Sequence, residues 1–243
     1  MTDTHAEAKT CKLLIDGQWV AGEGETIAVL DKYRLTPFAT VNAASPTQAA
    51  KMIECAHAAF RGDPPSGYDR GMILERAAGL VEGRLQDFVA AMQAEAGFTA
   101  ADAGGEARRC VQTLRLSGEE ARRLSGDVIP FDGAPQQAGR LAFTLRVPLG
   151  VVAAITPFNS PLNTVAHKVG PAFAAGNAVI LKPSTNTPVT ACLLAEALLE
   201  AGMPAGFLSL LHGRGAIAQH LLDDQRVRFF AFTGPVLDRK SVV

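Results

Sequence analysis

Four short segments hold most of the side chains in this 243-residue chain that could do chemistry together. They are Thr156-Pro157-Phe158-Asn159-Ser160-Pro161, Lys182-Pro183-Ser184-Thr185, His212-Gly213-Arg214-Gly215 and Thr233-Gly234-Pro235. Between them they offer a lysine, several hydroxyls, a side-chain amide, and glycines that let backbone approach a ligand closely. Such a set suits a sugar-phosphate ligand lying across a sheet edge. Gly213 to Ala218 also fits G-x-G-x-x-A at the opening of a helix. Alone that is a weak signal, because no acidic residue stands about 20 positions on to hold a ribose.

Each segment directly follows an apolar run. The runs predict strands over 151–156, 178–181, 207–211 and 228–232, separated by helices over 162–175, 188–201 and 216–222. Near-continuous apolar strands at this spacing imply a parallel sheet covered on both faces by right-handed crossovers. The expected fold class is therefore α/β, a doubly wound sheet whose ligands bind outside the carboxyl ends of its strands.

The upstream half reads differently. Residues 12–21 form a hairpin signal around Asp16-Gly17. Ser45-Pro46 starts a helix carrying Ala49, Ala50, Ile53, Ala56 and Phe60 at helical spacing, and Gly62-Asp63-Pro64-Pro65 stops it. One long helix is expected over 68–96, capped by Gly97. A polar helix over 105–124 reads as a solvated face, and two strands are expected within 126–147. The division is thus 1–147 for helices and hairpin arm, 148–235 for the Rossmann-like dinucleotide-binding core, and 236–243 for a divergent tail.

Composition narrows the function. Lys+Arg number 23 against 24 Asp+Glu, a net charge of −1, so no electrostatic footprint for nucleic acid or an anionic membrane exists. The longest apolar stretches are too short to span a bilayer, and the polar start lacks the apolar segment of a secretory signal. Four scattered cysteines form no CxxC pair. A cytoplasmic protein is expected.

The segments VPLGVVAAITPFNSPLN, AAGNAVILKPSTNTP, LLEAGMPAGFLSLLHG and FAFTG, in this order and spacing, resemble the first half of the aldehyde dehydrogenase superfamily. The likeness runs from about residue 13 to 234. It implies NAD or NADP as cofactor, a small aldehyde as substrate, and a homo-oligomer for the complete enzyme, with 126–147 resembling the arm that joins subunits. TPFNSPLNTVAHK is similar to the branch acting on short anionic or hydroxylated aldehydes, such as lactaldehyde or phosphonoacetaldehyde.

The resemblance assigns roles. Asn159 matches the asparagine whose amide holds the oxyanion formed when a thiolate adds to an aldehyde, where a preorganised donor contributes ~3 kcal/mol. From spacing alone, Asn159 between two prolines reads equally well as a turn residue. Lys182 matches the lysine that bonds the adenosine ribose; a single lysine more commonly reads as solvated, but its place at the end of AVIL, where the sheet meets its ligand, favours the binding role. Thr156, Pro157, Phe158, Ser184, Thr185, Gly213, Thr233 and Gly234 complete the cofactor set. Thr185 stands where many members carry a glutamate for the ribose 2′-hydroxyl, which leaves NADP open. Pro235 stands where a serine usually serves the pyrophosphate, and it has no N–H.

The family's nucleophile segment, Gly-Gln-x-Cys, and its base segment, Glu-Leu-Gly-Gly, do not occur in these residues. Cys55 and Cys192 read as core thiols, and Cys110, beside Arg108 and Arg109, as one whose pKa those charges could lower. No metal cluster is expected, His167 shares a helix face with Asn163, and His212 has no obvious partner. A reductase using Tyr/Lys chemistry fails because Tyr33 and Tyr68 lie outside the strand-end set. Two readings remain: the cofactor-binding part of an aldehyde dehydrogenase, truncated and catalytically incomplete, or a non-catalytic nucleotide-binding or oligomerisation module.

Overall fold

The structure, a computed structural model, describes residues 9–234. The Pro235 site, the tail 236–243 and residues 1–8 lie outside the described residues. Strands β1 (Lys9–Cys11), β2 (Leu13–Ile15), β3 (Gln18–Val20), β4 (Thr26–Leu30) and β5 (Pro37–Asn42) open the chain. The β2–β3 turn places Asp16 at φ 48° and Gly17 at φ 74°, the left-handed pair that a two-residue hairpin needs. Strands β1, β5 and β4 make a small sheet absent from the sequence reading, with β1 parallel and β4 antiparallel to β5.

Four helices follow: α1 (Pro46–Arg61), α2 (Gly67–Gly83), α3 (Leu85–Ala96) and α4 (Ala100–Arg123). Ser45 and Gln48 form a reciprocal capping box at the start of α1. Ser45→Ala is expected to lower stability by ~1 kcal/mol, read as a shift in the urea midpoint at unchanged slope. The helix expected over 68–96 is two helices. It breaks at Arg84 (φ −110°, ψ 24°) directly after Gly83, a poor helix former, and the break turns Phe88 and Met92 inward. Helix α4 starts at Ala100 under a Thr99 cap, earlier than the spacing implied, and it is not wholly a solvated face: Glu106 is 2% exposed.

The arm over 126–147 pairs through β6 (Val128–Ile129) and β7 (Ala142–Phe143), and Asp127 and Thr144 extend the pairing by one step. Pro130, with no N–H to donate, ends β6, and a 3-10 turn follows. The arm's Val128, Leu141, Phe143, Leu145 and Val147 are exposed.

From β8 (Val151–Ile155) the chain alternates: α5 (Asn163–Ala174), β9 (Ala178–Lys182), α6 (Pro188–Glu200), β10 (Leu208–Leu210), α7 (Gly215–Asp223), β11 (Val227–Phe232). The six-stranded sheet runs β11-β8-β9-β10-β2-β3, with its first four strands parallel and the hairpin antiparallel at one edge. Winding proceeds from β8 to β10 and then returns past β8 to β11, so helices cover both faces: α1 with α7, and α5 with α6 backed by α2–α4. Strand β9 is buried at every residue, as a sheet covered on both faces requires. Under α5, the Phe173 and Phe207 rings meet edge-on at 6.0 Å.

The α2–α4 layer also grips α5 and α6 at both ends. Arg70 donates to the Ala174 carbonyl and Arg76 to the Ala201 carbonyl, at the C-termini of α5 and α6. Glu106 and Glu95 accept from the amides at the opposite ends. Cations at the carboxyl ends and carboxylates at the amino ends both complement the helix dipoles.

Candidate functional site

All nine residues expected to hold a cofactor line one cleft of about 810 Å³ at the carboxyl ends of the parallel strands. Beyond β8 stand Thr156, Pro157 and Phe158; beyond or at the end of β9, Lys182, Ser184 and Thr185; beyond β10, Gly213; beyond β11, Thr233 and Gly234. Sheet hydrogen bonds fix these ends to one another. Thr156 N–H donates to the Lys182 carbonyl at 3.2 Å, and Thr233 N–H to the Ile155 carbonyl at 3.1 Å.

The donor set fits a dinucleotide. Thr156 Oγ1 is buried with no hydrogen-bond partner among the described residues, so a ligand hydroxyl or phosphate would satisfy it. Gly213 has φ +143°, and a Cβ there would lie 2.6 Å from the Ile217 side chain, so this turn admits only glycine. Lys182 is 8% exposed at the sheet edge rather than solvated. Neighbouring His212 is held neutral: burial, and then the Lys182 charge, lower its pKa to about 4. Its Nε2 lies 3.6 Å from Cys192 Sγ, a partner the sequence did not reveal.

Sequence reasoning missed the far wall. Ala216, Gln219, His220 and Leu222 of α7 complete the cleft, together with Asn186. The i, i+3 spacing of Ala216, Gln219 and Leu222 behind the Gly213 turn was the available signal.

Asn159 does not line this cleft. It faces a neighbouring one of about 580 Å³ that it shares with Arg109, Ser160 and Asn163. Glu106 builds this wall. Its Oε1 accepts from Ser160 Oγ at 2.5 Å and from Asn163 N–H at 2.9 Å, and its Oε2 accepts from Arg109 at 2.8 Å. Helix α5 has no side-chain cap of its own, so this carboxylate from α4 fixes the turn that presents Asn159. Thr113 Oγ1 donates to Asn163 Oδ1 at 2.9 Å and lies 3.4 Å from His167 Nε2, so Asn163 and His167 do share a face.

The thiols stand apart from both clefts. Cys110 is fully buried, and burial raises its pKa, the reverse of what Arg108 and Arg109 suggested in sequence. Burial also pushes up the half-buried Cys55. Tyr33 and Tyr68 are exposed and line neither cleft. Among the described residues no group of His, Cys, Asp and Glu could hold a metal, and no helix is long and apolar enough to cross a membrane.

Comparison with known proteins gives a consistent result. The profile of the aldehyde dehydrogenase family matches residues 19–237. A 3-sulfolactaldehyde dehydrogenase of Priestia aryabhattai is 42% identical over 229 residues, which are 94% of this chain and 48% of that protein. An NAD-dependent aldehyde dehydrogenase from Sinorhizobium meliloti superposes with a TM-score of 0.90 at 31% identity, over 97% of this chain and 47% of that one. An NADP-dependent glyceraldehyde-3-phosphate dehydrogenase from Bacillus halodurans, complexed with NADP, gives 0.89 at 30% identity over 96% and 50%. The chain spans about half the length of the relatives it matches. On sequence and fold alike, it belongs to the aldehyde dehydrogenase family.

Proposed function

We propose that these residues form the NAD(P)-binding part of an enzyme that oxidises an aldehyde to a carboxylic acid. The convergence of nine separately expected residues on one strand-end cleft supports this reading most strongly. In it, Lys182 and Ser184 hold the adenosine ribose, Thr156 and the 156–158 turn border the sugar-phosphate, and the backbone at Gly213, Thr233 and Gly234 admits the dinucleotide closely. The bound nicotinamide supplies the hydride acceptor. Asn159, in the adjoining cleft, donates its amide to the aldehyde oxygen as charge develops there.

The substrate we favour is a short aldehyde with an anionic far end. Arg109 supports this: its side chain is 62% exposed, tethered by Glu106 in the cleft that Asn159 enters. The names 3-sulfolactaldehyde and glyceraldehyde 3-phosphate among its relatives both describe such aldehydes.

A second reading, an association module, is favoured by the exposed apolar arm, for which we propose a second copy of the chain as partner. The two readings are compatible. Free cysteines at all four positions fit a reducing compartment, and we propose the cytoplasm.

Calorimetric titration tests the cofactor reading. With a neutral Thr185 beside a lysine and a hydroxyl, NADP is expected to bind at least as tightly as NAD. Lys182→Ala is expected to weaken binding about tenfold, the low end for a hydrogen bond to a charged group. A clear preference for NAD would refute the first expectation, and unchanged affinity in the variant the second.

A further inference from the structure

We propose that Glu95 is the positioning residue for the ribose-facing loop: its carboxylate holds the first turn of α6 and thereby sets Ser184 and Thr185 in the cleft. The functional consequence rests on reading that cleft as the NAD(P) site.

Thr187 occupies the N-cap of α6, and threonine usually caps its own helix. It does not do so here. At φ −137° and ψ 57° its side chain makes no capping bond, and its Oγ1 is buried without a partner among the described residues. Glu95, more than ninety residues earlier on α3, takes over. Its Oε2 accepts from Val189 N–H and its Oε1 from Thr190 N–H, both at 2.8 Å, and it has no exposed surface.

The segment 183–187 between β9 and α6 is short and closed on itself. Asn186 N–H donates to Ser184 Oγ, and Thr187 N–H to the Ser184 carbonyl, each at 3.2 Å. With Lys182 fixed in the sheet at one end, the α6 turn is the other anchor. A shift there therefore reaches Ser184 and Thr185 directly.

A charged carboxylate satisfies both amides, whereas a protonated one keeps a single good acceptor. Burial raises the Glu95 pKa to about 7, opposed by the bonds from Thr190 and Val189 and by the charge of Lys32, which lies between β4 and β5. From α6, Cys192 faces it; bonding to Cys11 and burial push that thiol up, and Glu196 on the same helix adds to the effect. The loop is consequently expected to be held best above neutrality and to loosen below it.

The sign separates positioning from bulk stability. A carboxyl whose folded pKa is raised above its unfolded value contributes most to stability below the unfolded value, near 4.5. That contribution falls as pH rises to about 7. Positioning runs the other way: NAD affinity is expected to rise about threefold to tenfold from pH 6 to pH 8, the worth of one hydrogen bond. NAD is the probe because it lacks the titrating 2′-phosphate.

The experiment follows the amide resonances of Ser184, Thr185, Val189 and Thr190 through this range by NMR, with NAD affinity measured in parallel, in the wild type and Glu95→Gln. Support is a common midpoint near pH 7 for all four amides and for NAD affinity, absent from the variant. The wild-type titration stands even where the variant does not fold. Still Ser184 and Thr185 amides while Thr190 titrates would overturn the proposal, as would NAD affinity that is flat with pH. If NAD does not bind at any pH, the cofactor reading fails instead, and the loop amides alone decide whether Glu95 positions them.

Discussion

Glu106→Ala is expected to lower stability by about 3 kcal/mol. The change strands two donors, Ser160 Oγ and Asn163 N–H, in a region that is 2% exposed at Glu106 itself. A buried donor left unmade costs ~1–3 kcal/mol. Arg109, mostly exposed, returns to water and adds little. For a chain of this size the loss corresponds to a Tm decrease of roughly 6–12 °C, measurable by calorimetry. Glu106→Gln should lose less, since its one carbonyl oxygen can still accept from Asn163. Equal losses in the two variants would mean that charge, rather than acceptor geometry, holds the turn.

The second large effect concerns cofactor choice. Thr185→Glu is expected to weaken NADP about a hundredfold while leaving NAD within a few-fold. Two unit charges about 5 Å apart near a protein surface repel by roughly 3 kcal/mol, and the 2′-phosphate carries more than one negative charge while water screens a half-buried site. Titrating the variant with both cofactors checks this. Equal losses for NAD and NADP would place Thr185 away from the 2′-position.

The strand ends were legible because they obey a local rule. Buried parallel strands are continuous apolar runs, and the residue after each run faces the ligand edge. Lys182 and Thr156 could be named from that alone as neighbours of a ligand. The sheet of β1, β4 and β5 was missed for the opposite reason. Strand β1 has three residues, β5 begins with a proline, and β1 pairs with β5 across a long stretch of chain that no local pattern encodes. Strand β4 does alternate exposed and buried residues, but exposed Ala28 and Leu30 hid the period.

The carboxylates were harder still. Glu106 sits in a polar-looking helix and Glu95 near the end of an apolar one, and what buries them is a helix end about sixty to ninety-five residues away. Asn159, read as the oxyanion donor, shares one loop with the cofactor residues Thr156, Pro157 and Phe158. Only the fold shows that consecutive residues, Phe158 and Asn159, enter different clefts.

The antiparallel hairpin at the sheet edge has a consequence in time. Leu14 lies opposite Leu210, so this hairpin, made well before β10, joins the sheet only after β10 is made. At ~5–20 residues per second the wait is roughly 10–40 s. Throughout it, Leu13 and Leu14, fully covered in the finished fold, have β3 on one side and no strand on the other. The chain's one tryptophan, Trp19, rides on that same hairpin, paired with Leu14, so its emission reports the hairpin joining the sheet rather than the collapse that precedes it.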